Sequence, residues 1–349
     1  MSLKRTFLTG AVCFALFACE ELFFIPEPEN TPTGIFGQAW VFADEEYSFF
    51  EYKGIDWDAA KAVYEAQITD DMGDEALFQV LATMLNQLRD GHVNLTSDFD
   101  RSRNWKWYLD YQPNYDFDVL ERYYFQSEEQ YIGGALILFD FSSPSGDVGY
   151  IHYRSFMNAV SSADMDYVIE KFKDHKGLII DLRNNTGGIA QMATVIGNRL
   201  TDTRVAVAEE QFKNGPGHDD FTAKATRYFE PPVGASTYTK PIVILTNRRC
   251  YSATNFFVTM ASSLDHVTIM GDKTGGGGGY PANTVLTNGW ELRVSSSRLF
   301  LVDDGSLTED QRNVEDGVEP DVSVSSTESE LATGVDNILD TAIAYIRGL

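Results

Sequence analysis

Apolar residues recur at helical spacing between Gly34 and Gly91. Further along, short apolar runs alternate with helical stretches. From Gly34 the pattern turns helical, and Gly37 to Phe50 is rich in aromatic residues. A second helix is predicted from Asp56 to Ile68, with Asp56 or Asp58 near its start. A third is capped by Asp74, carries Leu77, Leu81, Met84, Leu85 and Leu88 on one stripe, and ends at Gly91. Three short helices make a small bundle. The stretch up to about residue 130, heavy in Trp, Tyr and Asp, alternates poorly and reads as loops with short strands.

Ala135 to Phe141 and Gly149 to His152 read as strands joined by the turn Ser143-Pro-Ser-Gly146. Ala163 to Lys173 is a predicted helix, Gly177 to Leu182 a buried strand, and a further helix ends at Leu200. Pro241 to Leu245 and Val267 to Met270 are strands flanking a helix over Phe256 to Ser263. Val285–Leu286 and Trp290–Val294 form a hairpin across Asn288-Gly289. A helix over Glu328 to Arg347 closes the chain. Strands alternating with helices imply an α/β core, and no internal repeat interrupts them.

The N-terminus adds an address. Lys4 and Arg5 precede an apolar run from Phe7 to Ala18, too short for a mature bilayer span, and Cys19 follows. Leu16-Phe-Ala-Cys19 resembles a bacterial lipobox, which implies lipidation of Cys19 and a place on the cell envelope, at the outer membrane or cell surface. The expected division is a signal at 1–19, a Pro- and Glu-rich tether at 20–33, the bundle at 34–98, connecting loops and strands at 99–147, and the core at 148–349. The 349 residues carry a net charge of −25, which excludes nucleic acid as an expected partner. With Cys13 lost in the signal and Cys19 acylated, only Cys250 remains, so no internal disulfide is expected.

One stretch carries the candidate chemistry. The Pro241–Leu245 strand runs through a polar turn into Cys250-Tyr-Ser252-Ala-Thr-Asn255 and then a helix. A serine in a strand–turn–helix setting has the exposure and nearby amides of an acyl-transfer nucleophile. Its simpler role is a helix N-cap. Cys250 is expected to pack under the turn. The glycines at 275–279 lack the Lys-Ser/Thr of a phosphate loop, and no His, Cys or carboxylate cluster has metal spacing, so no cofactor is expected.

Four further stretches follow in order: Gly177-Leu-Ile-Ile-Asp-Leu-Arg-Asn-Asn-Thr-Gly-Gly188, Asn247 to Asn255, Gly271-Asp-Lys-Thr-Gly-Gly276, and Val314-Glu-Asp-Gly-Val-Glu-Pro-Asp321. Together they resemble the tail-specific, or C-terminal processing, serine peptidases, and more closely their tricorn-core branch. Gly54-Ile-Asp-Trp57 and Leu88-Arg-Asp-Gly-His92 are similar to the family's N-terminal bundle. The resemblance implies a crotonase-like (ClpP-like) α/β spiral core, peptide-bond hydrolysis of peptide or unfolded protein substrates, and Ser252 as nucleophile. It also implies an oxyanion hole from the Gly187 or Gly188 and Ala253 amides.

Two departures matter. Gly277 stands where the processing branch has its lysine base. Tyr150-Ile-His152 matches the tricorn pattern instead, which implies His152 as base and Glu315 as the orienting carboxylate. Only about fifty residues lie between Ser97 and Gly149, too few for the peptide-binding insert of the processing enzymes. His92, at a helix end, and Lys273, in the glycine loop, are the competing bases. The rival readings are a non-catalytic binding protein for peptides or apolar ligands on the same fold, and a structural envelope lipoprotein.

Overall fold

The computed structural model describes residues 29–104, 110–125, 129–141 and 147–349. The signal with Cys19, residues 20–28 of the tether and the turn Ser143–Gly146 lie outside the described residues. The chain enters through α1 (Pro32–Glu46), started by Thr31, whose hydroxyl accepts from the Gly34 N–H. Then come α2 (Phe50–Lys53), α3 (Trp57–Glu65, capped by Asp56) and α4 (Asp74–Asn86). Gly73 is the N-cap of α4, so Asp74 is its first helical residue, not its cap. The apolar stripe of α4 buries Leu77, Phe78 and Leu81 against α1. Trp40 and Trp57 each donate an indole N–H to the other's carbonyl at 3.2 Å, which pays the polar cost of burying both rings. The segment then forms β1 (Asn94–Thr96) and β2 (Arg101–Arg103).

The core begins with β3 (Gln130–Ile132), β4 (Leu136–Asp140) and β5 (Val148–Tyr153). Helix α5 (Ser162–Phe172) follows, opened by a reciprocal Ser161/Asp164 capping box, and leads to β6 (Gly177–Asp181) and α6 (Gln191–Gly197). Next are β7 (Val205–Phe212), β8 (Ala225–Phe229), β9 (Ile242–Thr246), α7 (Ala253–Ala261) and β10 (Val267–Gly271). The chain finishes with β11 (Pro281–Val285), β12 (Glu291–Ser295), β13 (Ser297–Phe300), β14 (Val322–Ser323) and α8 (Asn337–Gly348). The predicted closing helix is thus two pieces, a short helix Glu328–Ala332 and α8.

A seven-stranded sheet in the order β14-β10-β9-β6-β5-β4-β3 forms the centre. β5, β6, β9 and β10 run parallel, and β3 and β4 add an antiparallel edge. The pleat divides its side chains. Ile151, Leu178, Ile180 and Ile244 face α7, while Tyr150, Ile179, Val243 and Leu245 face α8. Both faces are therefore covered, as the continuous apolar runs of these strands require. A second sheet, β11-β12-β1-β2, joins the bundle to the core, and Leu292 and Val294 of β12 lie in the bundle's own apolar cluster. The bundle is docked on the strands that follow the glycine loop. The third sheet, β13-β7-β8, comes largely from residues 201–240, which the hydrophobic pattern leaves unassigned.

Candidate active site

Strand β9 ends at Thr246, and the turn after it is tied down by side-chain acceptors. Asn247 Oδ1 accepts the N–H groups of Asn184 and Arg249 at 3.0 and 3.1 Å. Ser252 stands at φ 57° and ψ −121°, a conformation that costs a non-glycine residue about 1–3 kcal/mol and persists only where its surroundings impose it. The glycine loop imposes it here: Ser252 N–H donates to Gly276 O at 2.9 Å, and Gly275 N–H donates to Cys250 O at 2.7 Å. The Ser252 hydroxyl does not cap α7. It lies 2.9 Å from Nε2 of His92. Cys250 is buried beneath the turn with Sγ donating to Leu182 O at 3.0 Å, and burial pushes its thiol up to about 12.

His92 is delivered by the short segment between α4 and β1. Its backbone N–H donates to Asp90 Oδ1 at 2.7 Å, and Asn94 Nδ2 donates to its carbonyl at 2.7 Å. The ring is buried at 6% exposure and tilted against Tyr251. Burial pulls the imidazole down to about 4, against the pull of Asp90; Arg293 and Lys53 depress it further. Nδ1 has no hydrogen-bond partner among the described residues, although the Gly279 backbone favours a protonated ring. Burial raises Asp90, but Lys53, His92 and its hydrogen bonds outweigh that and hold it below the usual carboxylate range.

The imidazole on Ser252 is therefore that of His92 and not that of His152. His152 is the last residue but one of β5 and has the same parity as Tyr150, so the pleat turns it to the α8 side of the sheet, whereas the helix that Ser252 heads packs on the other side. Its Nε2 meets the Tyr115 hydroxyl at 3.1 Å, its ring stacks on Phe117, and its Nδ1 has no partner among the described residues. Burial holds it neutral too, down to about 4, with Asp181 opposing. Neighbouring Tyr150, Asp181, Arg183 and Asp336 form a buried polar network that braces the sheet, with Arg183 to Asp181 at 2.6 Å and to Asp336 at 2.8 Å.

Glu315 is near but does not orient the imidazole. Its Oε1 accepts from Lys53 Nζ at 2.7 Å and its Oε2 from the Gly278 N–H at 3.0 Å. Burial, then the Asp90 charge, push its carboxyl up to about 8, against Lys53. The carboxylate that acts on His92 is Asp90. Lys273 is also removed from the chemistry, since its Nζ pairs with Glu319 at 2.8 Å. Gly277 cannot be replaced by the branch's lysine in this backbone: it stands at φ +78°, and a Cβ there would lie 2.5 Å from the Tyr251 ring.

Of the two glycines proposed for the oxyanion hole, the Gly187 N–H is already used, donating to Asn185 Oδ1 at 3.0 Å. Gly188 and Ala253 have no backbone acceptor among the described residues, and both line a cleft of about 90 Å³ with Ser252. Gly188 holds φ +145°, and a Cβ on it would meet Met157 N at 2.3 Å, so the close turn that presents its amide needs glycine. Ala253, the first residue of α7, has an N–H that no helical carbonyl can take. Among the described residues no group of three or more His, Cys, Asp or Glu side chains is placed to hold a metal ion. Asp90, Lys53 and Arg293 are parts of the site that the sequence analysis does not anticipate. His92 stands there only as a competing base, level with Lys273 and behind His152, although Asp-Gly-His directly after a helix is legible.

The family model for Peptidase family S41 matches residues 147–324, and that for the Tricorn protease C1 domain matches residues 28–86. A crystal structure of a candidate peptidase from Parabacteroides merdae shares 36% identity over 91% of this chain and 97% of that one, with a TM-score of 0.83. The carboxy-terminal processing protease CtpA of Bacillus subtilis is 25% identical over 159 residues, 45% of this chain. The chain spans about a third of that relative's length, 32%. Mature CPAF shares the fold at a TM-score of 0.65 and 12% identity, over 91% of this chain and 95% of that one. With more than half of its length, the bundle included, matched by these models, the chain belongs to peptidase family S41.

Proposed function

We propose that this chain is a serine peptidase that cleaves peptide or unfolded protein substrates through an acyl-enzyme on Ser252, with His92 as general base. The observation that carries the reading is the 2.9 Å contact between Ser252 Oγ and His92 Nε2 at a serine held in a strained backbone conformation. A neutral imidazole accepts the Oγ proton as the oxygen attacks the scissile carbonyl. The Gly188 and Ala253 amides receive the oxyanion. The imidazolium, favoured by the Asp90 charge, then protonates the leaving amine, and water repeats the cycle on the ester. The missing lysine base that motivated a non-catalytic reading is answered by this histidine. Glu315 acts by holding the Gly278 amide and so the loop that backs Ser252.

The test is direct. A fluorophosphonate probe at neutral pH should give one covalent adduct, mapped by mass spectrometry to Ser252. A folded protein that takes no label ends the peptidase reading.

The pH profile follows from the depressed imidazole. An unperturbed histidine near 6.5 would make kcat/KM rise between pH 6 and 7. With His92 pulled down to about 4, the base is unprotonated throughout that range. We expect kcat/KM to be level from pH 6 to 8 and to fall only in acid near 4. A midpoint above 6 would place the imidazole in a much wetter setting.

We also assign the chain to a bacterial cell envelope, anchored through an acylated Cys19. Lys4, Arg5 and the Leu16–Cys19 pattern support this.

A further inference from the structure

We propose that Arg293 is the specificity-determining residue of the Ser252 cleft, and that it binds a carboxylate of the substrate beside the scissile bond. The inference rests on the peptidase reading and deepens it. Apart from Arg293, the cleft is lined by glycines, Ser252 and residues such as Ala190, Phe256 and Tyr280, with no acidic side chain. Arg293 reaches it from β12, where it lies opposite Asn94 of β1, two residues after His92.

Among the described residues its guanidinium makes no ion pair and no hydrogen bond, and its Nε is shut off from solvent with no acceptor. That is unusual in a chain with 52 acidic and 27 basic side chains. Other inward arginines are matched: Arg183 by Asp181 and Asp336, Arg199 by Asp166, Arg312 by Glu209 and Asp303. Two charges act on Arg293 from its surroundings. Asp90 attracts it but is committed to the His92 amide and to the Ser295 hydroxyl at 2.8 Å. Arg101 adds a second positive charge from β2 of the same sheet. A half-buried, unpaired guanidinium backed by another cation, in a cleft without carboxylates, is a receptor for an anion. In a peptide that anion is an Asp or Glu side chain or the terminal α-carboxylate.

Two sets of peptides separate the sources. One set exchanges Glu for Gln at each position around the cleaved bond; the other compares a free with an amidated C-terminus. Dissociation constants are measured on Ser252→Ala, which reads binding without turnover, and kcat/KM on the unmodified chain. The carboxylate form should be favoured at least tenfold in one set. That ratio should fall below threefold when Arg293→Gln is added, and Arg293→Lys should keep it above threefold. A preference in the first set identifies a side chain, and in the second a chain terminus. Equal affinities in both sets, or a preference that survives Arg293→Gln, would overturn the proposal. If the peptides bind with the expected ratio but are never cleaved, the peptidase reading fails while the carboxylate site stands.

Discussion

Ser252→Ala and His92→Ala should each lower kcat/KM by on the order of 10⁴-fold or more, while His152→Ala should stay within about tenfold of the unmodified chain. The two large effects share one cause. The hydroxyl and the imidazole form a single proton-transfer unit at 2.9 Å, so removing either removes the activated nucleophile. What survives is binding and the oxyanion amides. Because the two losses describe one step, the double variant should be scarcely worse than either single one. His152→Ala acts elsewhere. It leaves the Tyr115 hydroxyl without its partner and opens space beside Phe117, a stability loss of about 1–3 kcal/mol read by urea unfolding. Kinetics on the three variants with one peptide decide it: a dead His152→Ala that is fully folded, beside an active His92→Ala, would return the base to β5.

The reason His152 misleads is a matter of parity. Along a strand, a one-residue difference sends a side chain to the opposite face of the sheet. Tyr150-Ile-His152 matches a sequence pattern, but the pattern does not say which face α7 covers. Ile151 faces α7; His152 does not. The nucleophile was legible because everything that presents Ser252 lies within a few residues: an apolar strand, a polar turn, a helix. His92 was legible only as a helix-end histidine, because its partner is 160 residues away and meets it through the pairing of β1 with β12. The sheet β13-β7-β8 was not legible for a related reason. Glu209, Glu210 and Gln211 interrupt the alternation of β7, and β13, its partner, lies some eighty residues further on. The parallel core strands, by contrast, are apolar throughout because both faces are buried, and they announce themselves.

Lys53→Met should destabilise the chain by about 3–5 kcal/mol at pH 9 and by clearly less at pH 6. Lys53 closes α2 and ties the bundle to Glu315: its ammonium donates to Glu315 Oε1 at 2.7 Å and to Arg89 O at 3.1 Å, with the paired side chains only 5% and 3% exposed. Burial lowers the ammonium's pKa, but the charges of Glu315 and Asp90 more than restore it. One cation thus serves two carboxyls. Asp90 is held low and ionised, and Glu315, raised to about 8 by burial and by Asp90, keeps a proton below that pH. Without the ammonium, Glu315 is driven higher still. Above pH 8 the unmodified native state has then released a proton that the native variant retains. A native state that binds more protons than its reference loses relative stability as pH rises, so the deficit must grow from pH 6 to pH 9. Urea unfolding of both proteins at the two pH values measures it, and a deficit equal at both, or larger in acid, would mean that Glu315 is already solvated. The companion variant Lys53→Met/Glu315→Gln removes the carboxyl that must hold a proton to stay buried. It should recover part of the loss at pH 9, because a neutral amide needs neither a cation nor a proton taken from alkaline solvent.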